Sequence, residues 1–155
     1  NDHNSNKISS SEIRENLKTG KIELANKDLK RNFSIAGKVI KGDQRGRTIG
    51  IPTANLEYPV NTIAIPYGVY AVETIIEGNT YFGIVNFGIR PTFNKDKPIV
   101  EAYLFDFDND IYDKNIEILF HKQIRQEKKF NDIKELLNQI NIDIAEAKKI
   151  LKYGN

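Results

Sequence analysis

The chain has 155 residues, of which 23 are basic and 21 acidic, so the formal net charge at pH 7 is +2. This length predicts one domain with a short appended piece, and the near balance of charge argues against a nucleic-acid partner. The chain has no cysteine, which excludes disulfides and thiol nucleophiles, and with no apolar run of ~20 residues and no export signal we expect a cytoplasmic protein without a membrane partner.

The first predicted elements are two short helices over residues 7–30. Ser9–Glu12 has the Ser-x-x-Glu pattern of a capping box, which predicts a helix start. Gly20 is typical of the glycine that follows a helix end. Apolar residues at helical spacing over 22–29 predict the second helix.

Residues 33–121 are typical of antiparallel β-structure. Segments rich in β-branched, aromatic or alternating apolar residues cover 33–39, 69–77, 80–87, 99–107 and 115–120. Gly78-Asn79 predicts a tight hairpin. Short strands without intervening helices favour a barrel or a sandwich, and the long intervals 41–67 and 88–98 are expected to be functional loops.

Two further helices are expected over residues 131–152. An apolar stripe follows residues 133–140, and Asp143–Glu146 has the acid-first pattern that opens a new helix. We expect both helices to pack over the β-structure.

The segment from 42 to 50 combines glycines with arginines. Glycines let the backbone approach a ligand and expose its N–H groups, and arginines favour phosphate. The segment therefore indicates a phosphate-binding loop, with a plain surface turn as the alternative. Its candidate residues are Gly42, Arg45, Gly46, Arg47 and Gly50.

Pro52, Thr53 and Asn55 follow this loop. Thr53 and Asn55 carry neutral oxygen ligands and, being two residues apart, point the same way on an extended chain. Because Mg²⁺ prefers oxygen ligands and shares them with substrate phosphates, the loop and these residues together predict a Mg²⁺-nucleotide site.

Glu101 stands in the otherwise apolar segment 99–105. A carboxylate there either faces solvent at a sheet edge or is partly buried and has a functional role, for example as a general base. Asp106, Asp108 and Asp110 follow it and are more typical of a solvated turn than of a cation site. Arg90 and Arg125 either bind phosphate or pair with acids at the surface.

Six motifs in order show a resemblance to a known family. They are Gly37–Arg47, Gly50–Leu56, Pro66–Tyr70, Gly88–Phe93, Val100–Leu104 and Ile124–Phe130. Over about 33–151 the chain resembles the riboflavin kinase module, which bacteria carry as the C-terminal half of a bifunctional riboflavin kinase/FMN adenylyltransferase. The segment Ile8–Arg14 resembles the end of the adenylyltransferase half.

The resemblance implies a mainly β fold, a six-stranded antiparallel Greek-key barrel with C-terminal helices and a short helical N-terminal extension. Residues 1–30 would be a tail or linker from an absent adenylyltransferase half, and 31–155 the kinase domain. The implied reaction moves the γ-phosphoryl group of ATP to the ribityl 5′-hydroxyl of riboflavin, giving FMN and ADP. The implied partners are these small molecules and an adenylyltransferase domain.

The resemblance also implies roles for the candidate residues. Thr53 and Asn55 would ligate Mg²⁺, or another divalent cation, with the phosphates of ATP, and Glu101 would take the proton of the ribityl hydroxyl. The loop from 42 to 50 and Pro52 would complete the nucleotide site. The flavin side would be formed by Arg125, Glu127 and Phe130.

The sequence departs from the family pattern at a few positions. Tyr103 stands where the family usually has histidine, and Lys30 and Asp113 stand where it usually has glycine. None of these departures affects Thr53, Asn55 or Glu101. A second hypothesis, from a different functional class, is a catalytically weak flavin- or nucleotide-binding module that supports an adenylyltransferase domain. A third, an oligonucleotide-binding barrel, is disfavoured by the near-neutral charge.

Overall fold

The fold is known from a computed structural model, which describes residues 2–41, 52–91 and 96–154. Its helices are α1 (Asp2–Lys18), α2 (Ile22–Leu29) and α3 (Ile133–Leu151), and its strands are β1 (Ser34–Lys38), β2 (Ala54–Glu57), β3 (Gly68–Ile76), β4 (Asn79–Pro91), β5 (Asp96–Leu104) and β6 (Asn115–Gln126). None of the helices within these ranges is both long and apolar enough to cross a membrane.

The strands form one antiparallel sheet in the order β1-β6-β3-β4-β5-β2. Strands β3, β4 and β5 follow one another as neighbours, and β6 returns to lie beside β3, which is a Greek-key connection. The two edges of the sheet meet where the Ile40 amide donates a hydrogen bond to the Asn55 carbonyl oxygen at 2.8 Å. The predicted six-stranded barrel is confirmed, and it is nearly closed.

The two faces of the sheet have different neighbours. Because side chains alternate along a strand, one set of residues points into the barrel, where Tyr70, Phe87 and Phe120 are fully or almost fully buried. The alternate set includes Val69 and Ala71, which pack with Ala147 of α3. Helix α3 therefore covers part of the outer face.

The N-terminal helices begin and end differently from the sequence prediction. The predicted capping box at Ser9–Glu12 is wrong, because α1 begins at Asp2 and this segment lies inside the helix. Gly20 is confirmed as the glycine that terminates α1, two residues beyond Lys18. Its φ is +84°, and the next amide, that of Lys21, donates back to the Asn16 carbonyl oxygen at 2.8 Å, as expected of a glycine-terminated helix.

The predicted hairpin exists, but its loop lies one residue earlier. Ile76 pairs with Asn79, so the loop residues are Glu77 and Gly78, and both have positive φ, which matches the right-handed twist of the flanking strands. The expected long loop over 88–98 is wrong, since β4 runs to Pro91 and β5 starts at Asp96. The sequence did not predict strand β2, because its four residues are too few to show an alternating pattern.

The C-terminal segment is one helix, not two. Helix α3 begins after Asp132, whose side chain accepts a hydrogen bond from the Glu135 amide at 2.8 Å. Asp143, expected to open a second helix, lies in the middle of α3 with 1% of its surface exposed. The acid-first pattern was misleading here because this buried carboxylate pairs with Arg125 on β6.

Both glycine departures keep a glycine-like backbone. Lys30, which ends α2, has a φ of 60°, and Asp113 has a φ of 72°. These are left-handed conformations that glycine adopts most easily. The fold therefore retains the local geometry although the glycines are gone.

Candidate active site

A row of polar and apolar residues crosses the outer face of the barrel, one from each of five neighbouring strands. Residues directly opposite each other in antiparallel strands share a face. Successive register partners form this row, which runs from β2 to β6 in the order Asn55, Glu101, Asn86, Val69 and Arg125. The predicted metal ligand Asn55 and the predicted base Glu101 are thus immediate neighbours, and Arg125 lies three strands beyond Glu101.

A cleft of about 410 Å³ opens at the Asn55 end of this row. Its walls come from residues 39–41 after β1, the start of β2, the end of β5 and the turn that follows β5. Pro52, Thr53 and Asn55 line it, as do Asp108 and Asp110 of the acidic turn. Glu101 does not line the cleft itself. It lies directly opposite Asn55 on the neighbouring strand.

The neutral oxygen donors of the cleft suit a cation that arrives bound to negatively charged phosphates. Thr53 is half-buried and Asn55 is buried, and both offer neutral oxygens. In the described ranges, no cluster of three or more His, Cys, Asp or Glu side chains is placed to hold a metal. Thr53 and Asn55 by themselves supply no negative charge to a cation, and proteins usually bind Mg²⁺ together with substrate phosphates.

Glu101 is partly buried and paired with a cation. Only 11% of its side chain is exposed, and its Oε1 accepts a hydrogen bond from Arg90 Nε at 3.0 Å. Arg90 also donates through Nη1 to the Ile89 carbonyl oxygen at 2.9 Å and lies 3.4 Å from Glu127 Oε1. Of the two positions left open by the sequence, solvent-facing or partly buried, the structure shows the second.

Asn86 is a candidate site residue that the sequence did not predict. It lies directly opposite Glu101 in the β4–β5 register. Its Oδ1 is buried and accepts no hydrogen bond within the part of the chain that the structure describes. A buried polar atom without any partner costs about 1–3 kcal/mol, so a water molecule or a ligand is expected to donate a hydrogen bond to this oxygen. The available signal was a polar residue in a strand of apolar ones.

Arg125 already has a partner inside the protein. Its Nε donates to both Asp143 carboxylate oxygens at 3.0 Å, its Nη2 lies 2.9 Å from Oδ2, and its Nη1 donates to the Gln126 carbonyl oxygen. The Phe130 ring centroid lies 5.7 Å from its guanidinium carbon. Arg125 therefore ties the end of β6 to α3 and supports the segment 127–130, which carries the predicted flavin contacts Glu127 and Phe130.

Part of the predicted nucleotide site falls outside the described residues. This applies to Gly42, Arg45, Gly46, Arg47 and Gly50. Of the acidic residues after β5, Asp106 accepts a hydrogen bond from the Tyr153 hydroxyl, which raises the pKa of Tyr153.

Comparison with known proteins identifies related sequences and folds. Residues 29–151 match the family described as Flavokinase, riboflavin kinase. The bifunctional riboflavin kinase/FMN adenylyltransferase of Bacillus subtilis is 49% identical over 144 residues, covering 91% of this chain and 46% of that protein. The chain thus spans about half the length of the curated relatives it matches.

Two solved structures share the fold. A Streptococcus pneumoniae structure titled as a macrolide-efflux protein is 33% identical with a TM-score of 0.82, covering 90% of this chain and 46% of that one. The riboflavin kinase of Trypanosoma brucei is 20% identical with a TM-score of 0.53, covering 78% of this chain and 80% of that one. At that identity the second likeness concerns the fold alone.

Proposed function

The chain belongs to the riboflavin kinase family, and we propose that it transfers the γ-phosphoryl group of ATP to the ribityl 5′-hydroxyl of riboflavin at the outer-face row. The observation that carries this proposal is the pairing of Asn55 with Glu101 on neighbouring strands beside the cleft. Asn55 can contact a nucleotide-bound cation while Glu101 receives a proton from the acceptor hydroxyl.

Glu101 is the proposed general base. Its Oε1 is held by Arg90, and within the described ranges its Oε2 has no hydrogen-bond donor, so Oε2 is the oxygen left to accept the hydroxyl proton. The hydroxyl oxygen then forms its bond to the γ-phosphorus while the bond from that phosphorus to the bridging oxygen breaks. ADP leaves with the electron pair, and the proton remains on Glu101. Such a transfer depends mainly on positioning and charge neutralisation.

Thr53 and Asn55 are the residues that would hold Mg²⁺, or another divalent cation, arriving with ATP. Bound there, the cation supplies positive charge against the phosphates. Pro52 lies exposed on the same wall and would contact the nucleotide. The phosphate-binding role of the loop from 42 to 50 stays a prediction.

The flavin would lie toward the β6 end of the row. Glu127 is exposed and Phe130 is half-buried, so both are accessible from that side, whereas the Arg125 guanidinium is engaged by Asp143. Arg125 would therefore serve the flavin site by holding the segment 127–130 in place. Direct contact between Arg125 and flavin stays a prediction.

The relatives' names also indicate a partner domain. They join a riboflavin kinase to an FMN adenylyltransferase, and the family match begins at residue 29, where α2 ends. We therefore propose that residues 1–30 link the kinase domain, 31–155, to an adenylyltransferase domain. The cytoplasmic location and the absence of nucleic-acid and membrane partners stay predictions.

The direct test is FMN formation from riboflavin and ATP, followed by chromatography with and without Mg²⁺. We expect Mg²⁺-dependent turnover that is lost in Glu101→Gln. Flavin binding without turnover in the unmodified chain would instead support the second hypothesis, a binding module. Salt-sensitive binding of single-stranded DNA would revive the third.

A further inference from the structure

Gly88 marks a feature of the site that the proposed reaction does not use. It lies on the outer face of β4 between Asn86 and Arg90, and its φ is outside the left-handed region, so the backbone does not require glycine there. A Cβ at this position would collide with the Glu127 carboxylate and lie 2.7 Å from Arg90 Nη1. A larger residue at position 88 would therefore have to displace the ends of the Glu127 and Arg90 side chains, which occupy the space above it.

The space over Gly88 gives Arg90 its direction. Arg90 is paired in register with Lys97, four residues before Glu101 on β5, so its side chain must run back along the strand to reach Glu101. It does so over Gly88, where Glu127 meets it from the end of β6. Lys97 pairs instead with Glu57 on β2 at 3.3 Å. The neighbouring cations Arg90 and Lys97 thus pair with different carboxylates.

We propose that Arg90 is a positioning residue for phosphoryl transfer, and that Glu127 and the space over Gly88 fix its orientation. Arg90 holds Oε1 of Glu101 and so presents Oε2 to the acceptor hydroxyl. Because Glu127 belongs to the segment 127–130, the base is correctly oriented only when that segment is in place. This inference rests on the proposed kinase function and makes Glu127 a support of the base as well as a candidate flavin contact.

The experiment compares steady-state kinetics of four variants: Arg90→Met, Glu127→Gln, the double variant, and Gly88→Ala. Arg90→Met should lower kcat about 10- to 100-fold, a part of what a general base contributes, with KM for ATP within about twofold because positioning acts in the transition state. Glu127→Gln should lower kcat less. The double variant should match Arg90→Met alone, since residues that act through one another are not additive.

Gly88→Ala tests the same link without removing a polar group. It should lower kcat in the unmodified background and have no further effect in Arg90→Met, where the guanidinium is already gone. The matched control is Lys97→Met, which removes a cation from the register position opposite Arg90 and should leave kcat unchanged. Thermal unfolding of each variant checks folding, and if Arg90→Met does not fold, Glu127→Gln and Gly88→Ala carry the test.

The outcomes separate this inference from the function on which it rests. An unmodified chain that makes no FMN overturns both. An active chain whose Arg90→Met variant keeps its kcat overturns the inference alone. So do losses in Arg90→Met and Glu127→Gln that multiply in the double variant, because independent roles would produce that result.

Discussion

The buried ion pair between Arg125 and Asp143 allows a sharp test of how α3 is attached to the barrel. Asp143 is 1% exposed. Its carboxylate pairs with the Arg125 guanidinium at 2.9–3.0 Å and accepts a further hydrogen bond from Gln139 Nε2 at 3.0 Å. Asp143→Asn keeps the shape and one carbonyl oxygen but leaves the guanidinium without a counter-ion.

The expected loss follows from the burial of the pair. Removing one partner of a buried ion pair costs about 3–5 kcal/mol of unfolding free energy, and because Asn retains an acceptor we expect about 3 kcal/mol. At roughly 2–4 °C per kcal/mol for a chain of this size, Tm should fall by about 6–12 °C. Urea unfolding followed by far-UV circular dichroism measures the free energy, and a thermal scan measures Tm.

Asp113→Asn provides the matched control. Asp113 lies 3.6 Å from Lys38 with both side chains more than half exposed, so losing that pair should cost about 0.5 kcal/mol or less. Asn also tolerates the left-handed backbone at position 113. Equal losses in Asp143→Asn and Asp113→Asn would refute the assignment of Asp143 as a buried anchor.

Three further predictions concern the site and the core. Glu101→Gln should lower kcat by about 10²–10⁴ while riboflavin affinity, measured by fluorescence titration, changes little; equal losses in both would indicate a structural role. Thr53→Ala and Asn55→Ala should each weaken Mg²⁺-dependent ADP binding in calorimetry yet unfold cooperatively, and unchanged binding in both would remove the metal assignment. Burial raises the pKa of Tyr70, so the unfolded chain loses this proton first and stability should fall as pH rises above about 10; urea midpoints should fall less steeply in Tyr70→Phe, and identical slopes would contradict this.

Patterns that depend on near neighbours in sequence were predictable. The hairpin near Gly78 and the helix end at Gly20 follow from the conformational freedom of glycine, and both are present with positive φ. The longer strands were visible because their side chains alternate between the barrel interior and a second surface. The barrel itself was identified through the family resemblance, not through these patterns.

Features that depend on distant partners were not predictable from the residues alone. Asp143 has the local pattern of a helix start, and only the position of Arg125, 18 residues earlier on β6, explains why it is buried inside α3. Glu101 could have been exposed or buried, and its environment is decided by Arg90 folding back over Gly88. Asn86 gave almost no signal because its importance lies in facing Glu101 across the sheet.

The most direct test of the proposed site is a crystal structure of the chain with riboflavin, ADP and Mg²⁺. The ribityl 5′-hydroxyl should lie within about 2.6–3.2 Å of the Glu101 carboxylate, the reach required of a general base, with Thr53 and Asn55 oxygens at the cation. A riboflavin molecule bound with that hydroxyl on another face of the barrel, away from both Asn55 and Glu101, would contradict the account.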